Sequence, residues 1–126
     1  MNTHEAFVHI ETAKMLDRAG FDWDCEHTYE YEKDGYTYII RKPTLDVAQR
    51  WLREEKLIEI MINICSEDEH KVYFNDITIY VDEEDWRREF ADDNTYETYE
   101  IAQETAIIRA LSSTARIRRR RARRLL

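Results

Sequence analysis

The chain has 126 residues with 43% hydrophobic, 12% aromatic and 37% charged side chains and a formal charge of −8; that length fits one domain and that apolar content excludes disorder throughout. Two cysteines, Cys25 and Cys65, no signal peptide over Met1 to Phe7 and no apolar run near the roughly 20 residues of a membrane span predict a cytoplasmic protein without a disulfide and without a membrane partner. Charge is divided unevenly: seven arginines and no acid lie from Arg116 to Arg124, leaving 12 basic against 27 acidic residues elsewhere, a balance of −15, so an acidic body carries a basic arm.

Near the start, Asn2 with Glu5 three residues on resembles a capping box, and Ala6, Phe7, Ile10, Ala13 and Leu16 form a 3.6-period stripe. The pattern predicts a first helix from Thr3 to Ala19, stopped by Gly20 at a left-handed position with Phe21 folding back onto the last turn. Thr28 to Lys33 and Tyr36 to Arg41 read as strands around Asp34-Gly35, a type I′ hairpin loop. That loop pairs Tyr31 with Tyr38, Tyr29 with Ile40 and Lys33 with Tyr36, placing Tyr29, Tyr31, Tyr36 and Tyr38 on one face, expected to be the buried one.

Pro43-Thr44 predicts the opening of a second helix with Leu45, Ala48, Trp51 and Leu52 inward. From Ile58 the period changes to two, with Ile58, Ile60, Ile62 and Ile64 alternating with more polar residues, as in a central strand. A polar loop over Ser66 to His70 should lead into a second β run, Val72 to Val81. There Phe74 is out of phase with Ile77, Ile79 and Val81, which predicts a bulge or turn at Asn75-Asp76. Asp82 to Asp93 should hold one helical piece pairing Trp86 with Phe90. A last helix is expected from Thr95 or Tyr99 to Leu111, with Asn94 and Glu97 as its capping box and Ala102, Ala106, Ile107 and Ala110 inward. Ser112, Ser113 and Thr114 should interrupt it, leaving after a single domain of 1–114 an arginine-rich tail, residues 115–126, that either continues as helix or, in isolation, stays disordered. The order predicts an α+β fold, an antiparallel sheet of about four strands with helices packed on one face.

The segments Ala13-Lys14-Met15-Leu16, Gly20-Phe21-Asp22, Cys25-Glu26-His27, Pro43-Thr44, Trp51-Leu52-Arg53-Glu54 and Thr98-Tyr99-Glu100 with Ala102 resemble a family of small proteins common in phages and prophages of gut bacteria. The resemblance spans Ala13 to Leu111 and rests on helix ends and caps. It implies a bacterial host cytosol and a role in phage and host conflict; it brings no catalytic or binding residues with it, and the arginine tail departs from it.

Chemistry-bearing groups are sparse. Asp22, Asp24, Cys25 and His27 supply metal-ligating atoms within six residues, and Cys65, His4 and His9 are the available additions, but the spacing matches no zinc signature. The sequence therefore predicts no metal, with Cys25 as a small core residue. With Gly20 and Gly35 as the only glycines there is no phosphate-cradling loop, and no nucleophile stands beside an oriented base, so neither an enzyme nor a cofactor is expected. The favoured reading is a regulatory module binding a basic host protein through Asp82, Glu83, Glu84, Asp85, Asp92 and Asp93. The alternative is nucleic-acid binding through Arg116, Arg118, Arg119, Arg120, Arg121, Arg123 and Arg124, with tyrosine stacking disfavoured by the buried hairpin face. Self-association is compatible with either reading.

Overall fold

A computed structural model describes residues 6–80, 86–89 and 92–124, with the backbone alone at 86–89 and 114–124. In chain order come α1 (Ile10–Arg18), β1 (Thr28–Lys33), β2 (Tyr36–Arg41), α2 (Leu45–Glu55), β3 (Ile58–Glu67), β4 (His70–Tyr80), β5 (Trp86–Glu89) and α3 (Tyr99–Arg124). The fold is α+β and its strand pairs are antiparallel. In place of one sheet, the described strands form two, a β1-β2 hairpin and a β3-β4-β5 meander. No helix among the described residues is long and apolar enough to cross a membrane.

The helix α1 starts seven residues later than the stripe suggests, because the chain ahead of it is recruited to a tertiary pairing. Val8 N–H donates to Pro43 O (3.1 Å), Leu45 N–H to Ala6 O (2.9 Å), and Phe7 bridges Thr44. The Asn2 and Glu5 capping box lies outside the described residues. At the other end the stop signal is complete: Gly20 has φ +97°, Phe21 N–H reaches Leu16 O (2.9 Å) and Gly20 N–H reaches Asp17 O (3.1 Å), the paired bonds of a Schellman turn.

The hairpin has the expected strands and register, with Tyr31 opposite Tyr38 and Tyr29 opposite Ile40. Asp34 (φ 53°) and Gly35 (φ 80°) take the two positive angles of its loop. The tyrosine face is only half covered. Ile40 is buried and Tyr29 and Tyr31 pack against the core, but Tyr36 is 69% and Tyr38 41% exposed. The cause is lever arm: the core meets the open end of the hairpin, and the tip overhangs it.

Thr44 caps α2, its Oγ1 accepting from Val47 N–H (3.2 Å), and Leu45, Ala48, Trp51 and Leu52 are all buried. The meander corrects four expectations. The strand β3 is at the edge and β4 is central. Ser66, Glu67 and His70 belong to strands, and the loop shrinks to Asp68-Glu69, both with positive φ. No bulge interrupts β4, whose register with β3 runs unbroken from Glu67 opposite His70 to Ile58 opposite Ile79. Its inward parity is Asn75, Ile77 and Ile79, all buried, with Phe74 simply on the other side. Finally, Trp86 lies in strand β5, opposite Tyr80, not in a helix, because the acidic segment returns to pair with β4; Phe90 lies outside the described residues.

The helix α2 packs against β3 and α3, while α3 also touches α1, β3 and β4. Their buried side chains form one cluster joining Val8, Leu16, Phe21, Trp51, Leu52, Ile58, Ile77 and Ile107. Burying a side chain of this size contributes about 1.5–3 kcal/mol. The alanines at 102, 106 and 110, none of them exposed, let α3 lie close to its neighbours.

Candidate functional site

The helix α3 begins at Tyr99, the later of the two expected starts, and its cap is Thr98 in place of Asn94, with Thr98 Oγ1 accepting from Ile101 N–H (3.1 Å). Asn94 instead serves an earlier turn, its backbone N–H and side-chain amide both donating to Asp92 Oδ1 at 3.1 and 3.0 Å.

Three polar side chains fix the first half of α3. Gln103, 2% exposed, donates to Asp46 Oδ1 and Gln49 Oε1 of α2, each at 2.8 Å, and Gln49 in turn donates to Ile60 O of β3 (3.1 Å). Glu104 accepts the His9 backbone N–H (2.7 Å) and also meets His9 Nδ1. Arg109 meets Asn75 Oδ1, while Asn75 Nδ2 donates to Ala102 O (3.3 Å). A buried polar group so satisfied avoids a penalty of about 1–3 kcal/mol, and the three contacts tie one helix to α1, α2 and both long strands.

Beyond this anchor the helix does not stop. Ser112 Oγ donates to Ile108 O (3.0 Å) and Ser113 is buried, so the expected breakers are accommodated and α3 continues to Arg124. Serine and threonine lower helix propensity by only about 0.5 kcal/mol each, too little to end a helix packed over three turns. Arginine is a good helix former, and cations near the last turn complement the helix dipole, whereas neighbouring like charges oppose it. The boundary expected between 114 and 115 thus falls inside a continuous helix. Arg116, Arg118, Arg119, Arg120, Arg121, Arg123 and Arg124 all lie on its last turns, which extend about 16 Å past Ser113 at 1.5 Å per residue.

Of the acidic residues singled out from sequence, Asp82, Glu83, Glu84 and Asp85 lie outside the described residues. Asp93 is exposed, but Asp92 is half-buried and receives the Tyr96 hydroxyl besides its two bonds from Asn94. Burial works to raise the Asp92 pKa, but the bonds from Tyr96 and Asn94 and the charge of Arg109 outweigh it and hold the carboxyl below its ordinary value. Asp92 therefore organises the turn into α3 and is not an open docking charge.

Asp24, Cys25 and His27 line a depression of about 220 Å³ with Phe7, Glu26, Lys42, Pro43, Thr44 and Val47. His27 stands edge-on to Phe7, their centroids 5.0 Å apart, and Lys42 Nζ sits over the Phe7 and Tyr29 rings at 4.9 and 4.8 Å. The Cys25 thiol points to Trp23 O (3.6 Å), and burial, reinforced by Asp24 and only partly offset by Arg41, pushes its pKa up. A thiol held protonated is a poor nucleophile and a poor metal ligand. Among the described residues, no three His, Cys, Asp or Glu side chains converge as a metal site.

The exposed hairpin tip is an aromatic surface. Tyr31 and Tyr38 stack at 5.2 Å with 16° between planes, and Lys14 Nζ lies 4.2 Å from the Tyr31 centroid.

Compared with protein-family models, with curated proteins and with solved structures, the chain matches none. Function rests on the chain's own geometry: an α+β body that carries an arginine-rich helical extension.

The sequence reading missed the buried polar side chains. Gln103 and Glu104 lie between Ala102 and Ala106 on a helix side otherwise apolar, and their inward position was the available signal. Asn75 had one too, sharing its parity with Ile77 and Ile79.

Proposed function

We propose that the chain binds nucleic acid through phosphate contacts made by its arginine-bearing helix, without reading base sequence. The observation that carries this is the continuity of α3, which places seven arginines on an extension of a helix anchored in the core. A pre-formed helix loses less entropy on binding than a disordered tail, and each neutralised phosphate releases condensed counterions. The acidic body repels phosphate, so phosphate contact is confined to the arm. Exposed Tyr36 and Tyr38 add ring surface on which unpaired bases can stack. Single-stranded nucleic acid is the preferred ligand on that ground.

The competing partner, a basic protein docked on the acidic loop, draws support from charge alone, and the inward use of Asp92 weakens it. We also infer that α2 and α3 cover one face of the meander. Buried Ile58, Ile60, Ile77 and Ile79 support this, with Met61 (57%) and Tyr80 (48%) exposed on the other parity.

Fluorescence anisotropy with a labelled 20-nucleotide strand tests the reading. The full chain should bind, and a chain ending at Ala115 should lose at least tenfold in affinity while keeping its fold. Equal affinity for both chains would refute it.

A further inference from the structure

The β3-β4 hairpin closes with Glu67 opposite His70, and at its other end Tyr80 N–H reaches Leu57 O (2.9 Å). Bonded residues alternate along an antiparallel ladder, so Leu57, Glu59, Met61, Asn63, Cys65 and Glu67 use their backbone groups on β4. Those of the even-numbered residues point out of the open edge. Gln49 Nε2 covers Ile60 O (3.1 Å), but among the described residues nothing bonds the outward N–H and C=O of Ile62, Ile64 and Ser66. Ile64 is 56% exposed, and Cys65 and Ser66 are exposed too, so solvent reaches this edge.

Open strand edges pair with strands of other chains, and proteins blunt them with charge, proline or shortness. The other strands here are blunted. Strand β1 carries Glu30, Glu32 and Lys33, β2 ends on Arg41, and β5 is four residues long with Arg87, Arg88 and Glu89 among them. By contrast β3 has ten residues, with neither charge nor proline from Ile60 to Ser66.

We propose that this edge is a homodimer interface, in which β3 pairs antiparallel with β3 of a second copy and joins the two meanders into one continuous sheet. Two-fold contact requires a surface that complements itself. The three open residues do so in a single register, Ile64 opposite Ile64 and Ile62 opposite Ser66 of the second copy, which gives about six hydrogen bonds. Sliding by two residues sets one of them against Ile60, whose carbonyl is taken, or against the turn at Asp68. Charge also selects the occupant. A chain of charge −8 meets its own copy at least cost on a neutral stretch, whereas a basic foreign strand would be selected by acids that Ile60 to Ser66 lack. In the self-matched register Glu67 faces Met61 of the second copy, and Glu59 is turned to Arg53 (4.0 Å).

This does not depend on the nucleic-acid reading and is tested without nucleic acid. Sedimentation equilibrium of the full chain at up to about 100 µM should give twice the 15.3 kDa chain mass. About half-molar salt should leave the dimer in place, because no ion pair holds it. Ile64→Pro removes an outward N–H, a change that an edge strand tolerates, and should give a monomer with an unaltered far-UV spectrum. A second measurement leaves the backbone intact. With Cys25 replaced by serine, chains carrying Cys65 alone and chains carrying Asn63→Cys with Cys65→Ser should cross-link to each other on oxidation, as a non-hydrogen-bonded pair about 4.5 Å apart at Cα. Neither should cross-link to its own kind, the mates being more than about 7 Å apart. A monomer at every concentration, a dimer that dissociates in salt, a dimer that survives Ile64→Pro, or like-with-like cross-linking in place of the mixed one would overturn the proposal.

Discussion

Glu104 of α3 receives both the backbone N–H of His9, at 2.7 Å, and its ring nitrogen, at the residue where α1 begins. His9 has no side-chain cap of its own, so a carboxylate 95 positions later serves the start of α1, where an acidic group also complements the helix dipole. Glu104→Ala should cost about 1–3 kcal/mol in urea unfolding, because it strands a donor and removes a buried acceptor. His9→Ala should cost less than half as much, since the backbone bond survives. Equal losses from the two changes would show that the ring, not the N–H, carries the contact.

Asn75 is fully buried between Ala102 O and the Arg109 guanidinium. Asn75→Ala should destabilise by about 2 kcal/mol, from the lost bonds and the cavity together. Asn75→Asp should also destabilise but by less, because it fills the site and keeps the Arg109 contact at Oδ1, while the changed atom is the Nδ2 that donates to Ala102 O. Chemical denaturation of the two variants checks the order.

Tyr96 and Asp92 form a pair whose ionisations shift in opposite directions. The Asp92 carboxyl lies below its ordinary value, whereas burial and the Asp92 carboxylate raise the Tyr96 phenol. A depressed acid adds stability above its unfolded pKa, about 3.9, and loses it as pH falls through the lower folded value. A raised phenol adds stability below its unfolded pKa, about 10, and loses it as pH rises through the higher folded one. Stability from the pair should thus be level from about pH 5 to 9 and fall at both ends. Tyr96→Phe should cost about 1 kcal/mol at neutral pH and flatten both limbs. Unfolding curves across that range show whether it does.

The legible parts of the fold were those set by local chemistry. Asp34-Gly35 admits a two-residue loop and so dictates the tyrosine register, Gly20 ends α1, and Thr44 starts α2. What escaped was decided at a distance. Ala6 to Val8 carry a helical stripe yet pair with Pro43 to Leu45, and Ser112 and Ser113 look like breakers but lie on a helix held by Gln103, Glu104 and Arg109. Phase misled at Phe74, since a hydrophobic residue on the outer side of β4 imitates a bulge while the buried Asn75 looks like a turn. For the site, the arginines were plain in composition, but their helical setting depends on tertiary anchoring that no window of sequence contains.

Gly20→Ala tests the weight of one local signal. A methyl group there meets nothing within 4 Å, so the cost comes from φ alone and should be about 1 kcal/mol. A loss much above 2 kcal/mol would mean that the turn carries more of the fold than its two hydrogen bonds indicate.

The slope of log affinity against log salt for a single strand bears most directly on the central claim. Engagement of all seven arginines gives a slope near −5, about −0.7 per phosphate, and replacing the seven with glutamine should bring it near zero without unfolding the body. A slope that stays steep after that replacement, or a flat one in the unaltered chain, would contradict phosphate binding by the arginine helix.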